Sequence, residues 1–435
     1  MTRFRREART TFRSLRVRNY RLYFTGQLIS VSGTWMQSVA LAWLVVRYLA
    51  PRGQAGLDVG FTTALQFLPM LLLGAWGGVI VDRVDKRRLL FATQSMAGIL
   101  ALLLGLLVMT GNGAAGHAHL WEVYVLAFLL GLVNLLDNPA RQTFVIEMVG
   151  KDDLPNAVSL NSIVMNGARV IGPAVSGVLI ATVGLGVCFL VNAASYVAVI
   201  VALSMMRRAD LHPAQRVLRA KGQLREGVRY AWREPNLRGP LLLVFVVGLL
   251  AYNFNVILPL FARDTFHGGA GTFATLTSLM AGGAVVGGLV VANRGKANIH
   301  RLTGIGMCFG VAIGAVALAP NLISAGALLV VMGALSLSFI ATANATIQLR
   351  VEPTMRGRVM ALYAVGFLGT TPIGAPLVGW ISQVSSPRVA LLVGAVATVT
   401  ASSLTLLRHR YEHRRNFEQA AVVEASEPGT ELGVA

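Results

Sequence analysis

The chain has 435 residues, of which 55% are hydrophobic and 13% charged, and its formal net charge is +19. A soluble domain carries roughly 25% charged residues, so this composition excludes an ordinary soluble protein. The basic balance would suggest nucleic acid in a soluble chain, but here its placement marks a membrane topology, and no nucleic-acid partner is expected.

In chain order, an Arg-rich arm (residues 1–20) precedes an apolar block that lacks an A-x-A cleavage signal and is expected to remain as a first span. Twelve apolar blocks follow, at 21–46, 58–81, 89–111, 121–142, 156–183, 187–206, 238–262, 272–292, 302–319, 322–348, 358–383 and 388–407. A helix needs ~20 apolar residues to cross the hydrocarbon core. The blocks are too long and too uniformly apolar for barrel strands, which leaves helices. Cys188 and Cys308, the only cysteines, fall inside blocks and read as buried small hydrophobes without a disulfide framework. The expected fold is an all-α membrane protein of twelve transmembrane helices in two six-helix halves, 21–206 and 238–407. Between them, segment 207–237 carries Leu224, Val228, Ala231 and Trp232 on one helical face and Arg225, Glu226, Arg229 and Arg233 on the other. That pattern predicts a short interfacial amphipathic helix. The polar tail, 408–435, is expected to be disordered.

Twelve spans put both termini on one side. Of the 38 Lys and Arg, 33 fall in the N-terminal arm, the even-numbered connections, the central segment and the tail. Only Arg47, Arg52, Arg263 and Arg388 lie on the opposite face, and Arg169 lies inside a span. By the positive-inside rule both termini are cytoplasmic, in a multi-pass inner-membrane protein whose first partner is the lipid bilayer.

The halves echo each other. Gly172-Pro173-x3-Gly177 in span five matches Gly374-x-Pro376-x2-Gly379 in span eleven, with both glycine pairs five apart and offset by 202. Glu147 and Glu352 precede these spans. Gly77-Gly78 near the end of span two is answered by Gly287-Gly288 in span eight. Matching landmarks suggest duplication, the arrangement of transporters whose site lies at the interface of repeats.

Gly78-x3-Asp82-Arg83-x2-Lys86-Arg87-Arg88 resembles the loop signature between spans two and three of the major facilitator superfamily, with Asp85 where a Gly is usual. Phe24-Thr25-Gly26-Gln27-Leu28-Ile29-Ser30 with Gly33-Thr34-Trp35-Met36-Gln37, Asp137-Asn138-Pro139-Ala140-Arg141-Gln142, and Leu154-Pro155-Asn156-Ala157 resemble the drug- and siderophore-exporter branch that includes enterobactin and macrolide exporters. The resemblance spans residues 12–407. It implies the major facilitator fold and a proton-motive exporter working by alternating access, a monomer needing no cofactor beyond the proton gradient. It implies a cytoplasmic gate of Gly78, Asp82, Arg83, Lys86, Arg87, Asp137, Arg141 and Glu147. Asp82 would cap span eleven, and Lys86 or Arg87 would pair with an acid at the end of span four, with Asp137 expected. The Gly172-Pro173…Gly177 segment resembles an antiporter motif.

Ionisable groups inside a membrane are costly and usually functional. Arg169 lies 13 residues into its block, ~20 Å deep at ~1.5 Å per residue. No acid is expected at that depth, so Arg169 either braces helices through carbonyls or meets a solute that is anionic or rich in acceptors. Trp35, Gln37, Asn134, Asn253, Asn255 and Asn344 are the other cavity candidates, on spans one, four, seven and ten, which line the path in the family; plain interhelical hydrogen bonding is the competing role for each. No Walker-type loop, metal-ligand set or nucleophile–base constellation stands out, so neither ATP drive, a metal site nor catalysis is expected. The competing functions are an uptake or facilitative permease on the same fold, or a membrane receptor without transport.

Overall fold

A computed structural model describes residues 12–51, 53–110, 115–212, 223–293, 297–352 and 354–426. Twelve helical segments are long and apolar enough to cross a bilayer, which makes this a multi-pass membrane protein. Large apolar side chains such as Leu72, Trp76, Leu289, Val311 and Ile323 stay exposed on the outside of the bundle, where lipid replaces water as solvent.

Span one runs Arg18–Leu49 and span two Ala55–Arg83. Spans three to six are Lys86–Met109, Leu120–Val149, Leu154–Thr182 and Leu185–Ser204. Spans eight, nine and ten are Ala270–Asn293, Ile299–Ala317 and Leu322–Arg350. Span four is longer than its sequence suggests. Its polar Asn138–Gln142 stretch looks terminal, yet Phe144, Val145 and Met148 beyond it are buried, so the helix continues to Gly150, whose φ of 72° ends it. Arg141 and Glu147 therefore belong to span four and not to the loop after it.

Spans seven and eleven are broken. Span seven is helical over Pro235–Val246, widens into a π-helical turn at Val247–Ala251, interrupts at Tyr252 and Asn253, and resumes at Phe254–Leu260. Span eleven breaks between Arg356–Phe367 and Thr371–Val384. The two breaks lie against each other. A Cβ on Gly248 would meet the Gly366 and Phe367 carbonyls at 2.8 Å, and one on Gly374 would meet the Leu249 carbonyl. Asn253 Nδ2 donates to the Leu249 carbonyl at 2.8 Å, satisfying backbone that the break frees.

The glycine motifs perform the same two tasks in each half. Gly172 lets span five approach span one, where a Cβ would lie 2.6 Å from Trp35 Cβ, as Gly374 lets span eleven approach span seven. Gly177 meets Ala274 of span eight across the halves, as Gly379 meets the Gly56 carbonyl of span two. The repeat seen in sequence is thus a packing repeat, in which close backbone approach substitutes for the hydrophobic drive that lipid removes.

Two expectations need correction. The tail does not become irregular at 408: span twelve is one helix from Pro387 to Ser426, because its Arg-, Glu-, Gln- and Ala-rich continuation extends a helix already nucleated. Residues 427–435 lie outside the described chain. Cys308 is exposed on the bundle surface, whereas Cys188 is buried. The linker helix forms at Gln223–Arg233; among the described side chains of its apolar face Ala231 is buried and Val228 and Trp232 are exposed. Glu226 holds it to Arg358 at the start of span eleven, 2.9 Å away.

Candidate functional site: a cavity between the halves and the ion-pair network below it

A cavity of about 340 Å3 lies between the halves. Trp35, Thr63, Phe67 and Arg169 come from spans one, two and five, and Tyr252, Asn253, Phe254 and Asn255 from the broken stretch of span seven. Phe273, Ile340 and Phe367 complete it from spans eight, ten and eleven. A second pocket of about 420 Å3 lies within the first half, lined by Gln66, Gln94, Asn134, Asp137, Arg141 and Tyr196 among others. Trp35, Phe67 and Arg169 line both, so Arg169 stands where the two meet.

Arg169 is the one charged side chain lining the central cavity among the described residues. Its guanidinium carbon sits 4.8 Å from the centroid of the Trp35 ring, a cation–π contact. Its Nε is buried and has no hydrogen-bond partner among the described residues. An unpaired buried donor on a cation costs about 1–3 kcal/mol or more, so something must compensate in the working protein.

One depth argument is overturned. With span four extended to Val149, Asp137 lies 12 residues from its end and not near a loop. That is ~18 Å, against ~22 Å for Arg169 counted from Leu154, so an acid does stand near the depth of Arg169. Asp137 is nonetheless committed elsewhere. It is 1% exposed and accepts Thr93 Oγ1 and Gln94 Nε2, each at 2.7 Å. Arg141, one turn on, ion-pairs with it and donates to Gln27 Oε1 at 2.6 Å.

The expected partner of Lys86 is therefore occupied. Lys86 Nζ instead pairs with Glu147 at 2.6 Å, and Arg87 donates to the carbonyls of Leu203 and Ser204 at 2.7 and 3.0 Å. Geometry dictates this choice. Lys86 starts span three at the basic face, while Asp137 lies ~15 Å deeper than Glu147 along span four. Asp85 has a role of its own: its Oδ1 accepts the Arg88 N–H at 2.9 Å and caps span three. Gly78, Asp82 and Arg83 lie in the last turns of span two at the same face.

Two expected cavity residues are placed elsewhere. Gln37 is buried against span six, accepting Asn192 Nδ2 at 2.6 Å; Trp35, Ser38, Val39 and Ala42 form the cavity face of span one. Asn344 accepts Gln348 Nε2 at 2.5 Å, one turn beyond Ile340 toward the basic face. Asn134 lines the first-half pocket, and Asn253 and Asn255 line the central cavity.

The cavity is closed on the face away from the termini. Leu57 N–H of span two donates to Gln383 Oε1 of span eleven at 3.1 Å, beside Gly56 against Gly379 and Gly60 against Ala375. Arg263 reaches across to the Val46 carbonyl. Close to this seam lies an acid that is not among the expected site residues. Asp58, in the first turn of span two, is 8% exposed; Tyr124 donates to its Oδ1 at 2.9 Å, and its Oδ2 is buried without a partner. An acid just inside the start of an apolar span is the signal that marks it.

Two pseudo-symmetric six-helix halves enclosing a cavity that is sealed at one end define a solute transporter of the major facilitator type. The family of transmembrane secretion effectors matches residues 9–434, and the chain belongs to it. It is 25% identical over 373 residues to the staphyloferrin A transporter of Staphylococcus aureus, covering 83% of this chain and 89% of that protein. It is 24% identical over 392 residues to the enterobactin exporter EntS of Shigella flexneri, covering 89% of each. Over 381 residues it is 24% identical to the multidrug efflux pump Tap of Mycobacterium tuberculosis, covering 86% of this chain and 89% of the pump. Among solved structures, an inward-facing, unoccupied bacterial homologue of the human lysosomal transporter Spinster matches with a TM-score of 0.71 at 15% identity, covering 90% of this chain and 97% of that one. The nucleoside transporter NupG matches with a TM-score of 0.69 at 12% identity, covering 91% and 99%. At these identities the structural matches speak for the fold alone.

Proposed function

We propose that this protein is a proton-driven exporter of an amphipathic organic solute, of the drug or siderophore kind, working as a monomer in the bacterial inner membrane by alternating access. The observation that carries the reading is the cavity between duplicated halves, sealed at the sparsely charged face, with a cation in its wall whose Nε finds no hydrogen-bond partner among the described residues. The exporter and efflux names among the relatives support outward transport. The strongly basic face is taken as cytoplasmic, which makes the present arrangement inward-facing.

Asp82 acts in the other state. When the basic ends close, it supplies an anion to the N-terminus of span eleven at Arg356, where the helix dipole favours negative charge. Everted vesicles with an imposed proton gradient test the reading. Gradient-dependent uptake of a drug or siderophore probe into them is expected, with a sharp loss in Asp82→Asn at equal abundance. Accumulation in right-side-out vesicles instead would establish an uptake permease.

A further inference from the structure

We infer that the solute is an amphipathic organic anion bound across the two halves, its acidic head at Arg169 and its apolar body against the aromatic wall of span seven. The inference rests on the reading of the cavity as the solute site and adds the charge and orientation of what it holds.

The charges decide the head. Three fully charged side chains line the two pockets: Asp137, Arg141 and Arg169. Asp137 and Arg141 neutralise each other, which leaves the connected space with one net positive charge. That charge has a buried Nε–H with no acceptor, beside the amides of the first-half pocket. Trp35 covers one side of the guanidinium, so its N–H edge is the part left for a ligand. A carboxylate or similarly delocalised anion is the complement of that positive charge; an ammonium would meet a like charge with no acid lining the central cavity to offset it.

The opposite wall decides the body. Tyr252 packs against Phe254 and Phe367 with ring centroids 5.1 and 4.8 Å away, and all three face the cavity. Among the described residues, the buried side-chain atom on that wall without a partner is Asn253 Oδ1, an acceptor. This half of the site exists because span seven is broken there, which turns Tyr252 and Asn253 out of the helical register.

The test measures binding to purified full-length protein in a non-ionic detergent, with naphthoate, its carboxamide and naphthylmethylammonium as probes of one body and three head charges. Calorimetry is expected to rank the carboxylate at least tenfold tighter than the amide, with the ammonium weakest. In Arg169→Gln the three should converge, and Arg169→Lys should restore only part of the preference. Equal binding of the three probes by the wild type, a preference for the ammonium, or an unchanged ranking in Arg169→Gln would overturn the inference. Should Arg169→Gln fail to fold, the wild-type ranking decides alone. No gradient enters this measurement. A preserved ranking without gradient-driven export would sink the exporter reading and leave the charge class standing.

Discussion

Replacing Gly60 by alanine should shift this transporter away from the state described here. A Cβ at Gly60 would lie 2.7 Å from the Ala375 carbonyl oxygen and 2.8 Å from Pro376 Cα, both backbone atoms of span eleven that cannot rotate away. Ordinary contact begins at 3.4 Å, so span two must withdraw by about 0.7 Å. All three nearest atoms belong to the other half, so packing within the first half is untouched and folding should be near normal. Overpacking costs about 1–3 kcal/mol. The cost falls only on the state in which this seam is closed, and a differential of that size moves a two-state equilibrium by about 5- to 150-fold toward the state open at this end. Spin labels at Gln54→Cys and Ser385→Cys, with Cys188 and Cys308 replaced by serine, report the seam directly. Double electron–electron resonance should show the longer-distance population rise. An unchanged distance distribution in a well-folded Gly60→Ala protein would refute the claim that this seam sets the gate.

Asp137→Asn leaves Arg141 buried with Gln27 as its remaining partner, and breaking a buried pair costs about 3–5 kcal/mol; thermal unfolding in detergent should show a clear fall in Tm, and none would mean the pair is already solvated. Asp58→Asn should be neutral or stabilising. It keeps an acceptor for Tyr124 and its amide nitrogen takes the place of the unpaired oxygen, so what it removes is the burial of a charge, several kcal/mol against the ~0.3–1 kcal/mol from the helix dipole. Tyr124→Phe should lower Tm by contrast, and the reverse order of the two variants would contradict this account. For topology, a cysteine at Ala220 should react with membrane-impermeant maleimide only in opened cells and one at His117 in intact cells; labelling of position 220 from outside would invert the orientation.

The sequence alone determined the class of molecule. Twelve apolar blocks, positive charge concentrated in alternate connections and a glycine repeat offset by 202 point to a duplicated helical bundle, because only helices and closed barrels satisfy the backbone in lipid and the blocks are too long and too uniformly apolar for barrel strands. It also singled out Arg169, since a lone cation in an apolar block stands out from its neighbours. What it could not determine is which polar groups find each other. Lys86 pairs with Glu147 and Asp137 with Arg141 because of relative depth along three helices, which block boundaries drawn to within several residues cannot resolve. Gln37 turns away from the cavity toward Asn192, and Asp58 pairs with Tyr124, through helix rotations that hydrophobicity does not encode in an apolar span. The breaks in spans seven and eleven are tertiary too. Each frees backbone groups in the membrane and persists because the other lies against it, and that mutual support aims Tyr252 and Asn253 at the cavity.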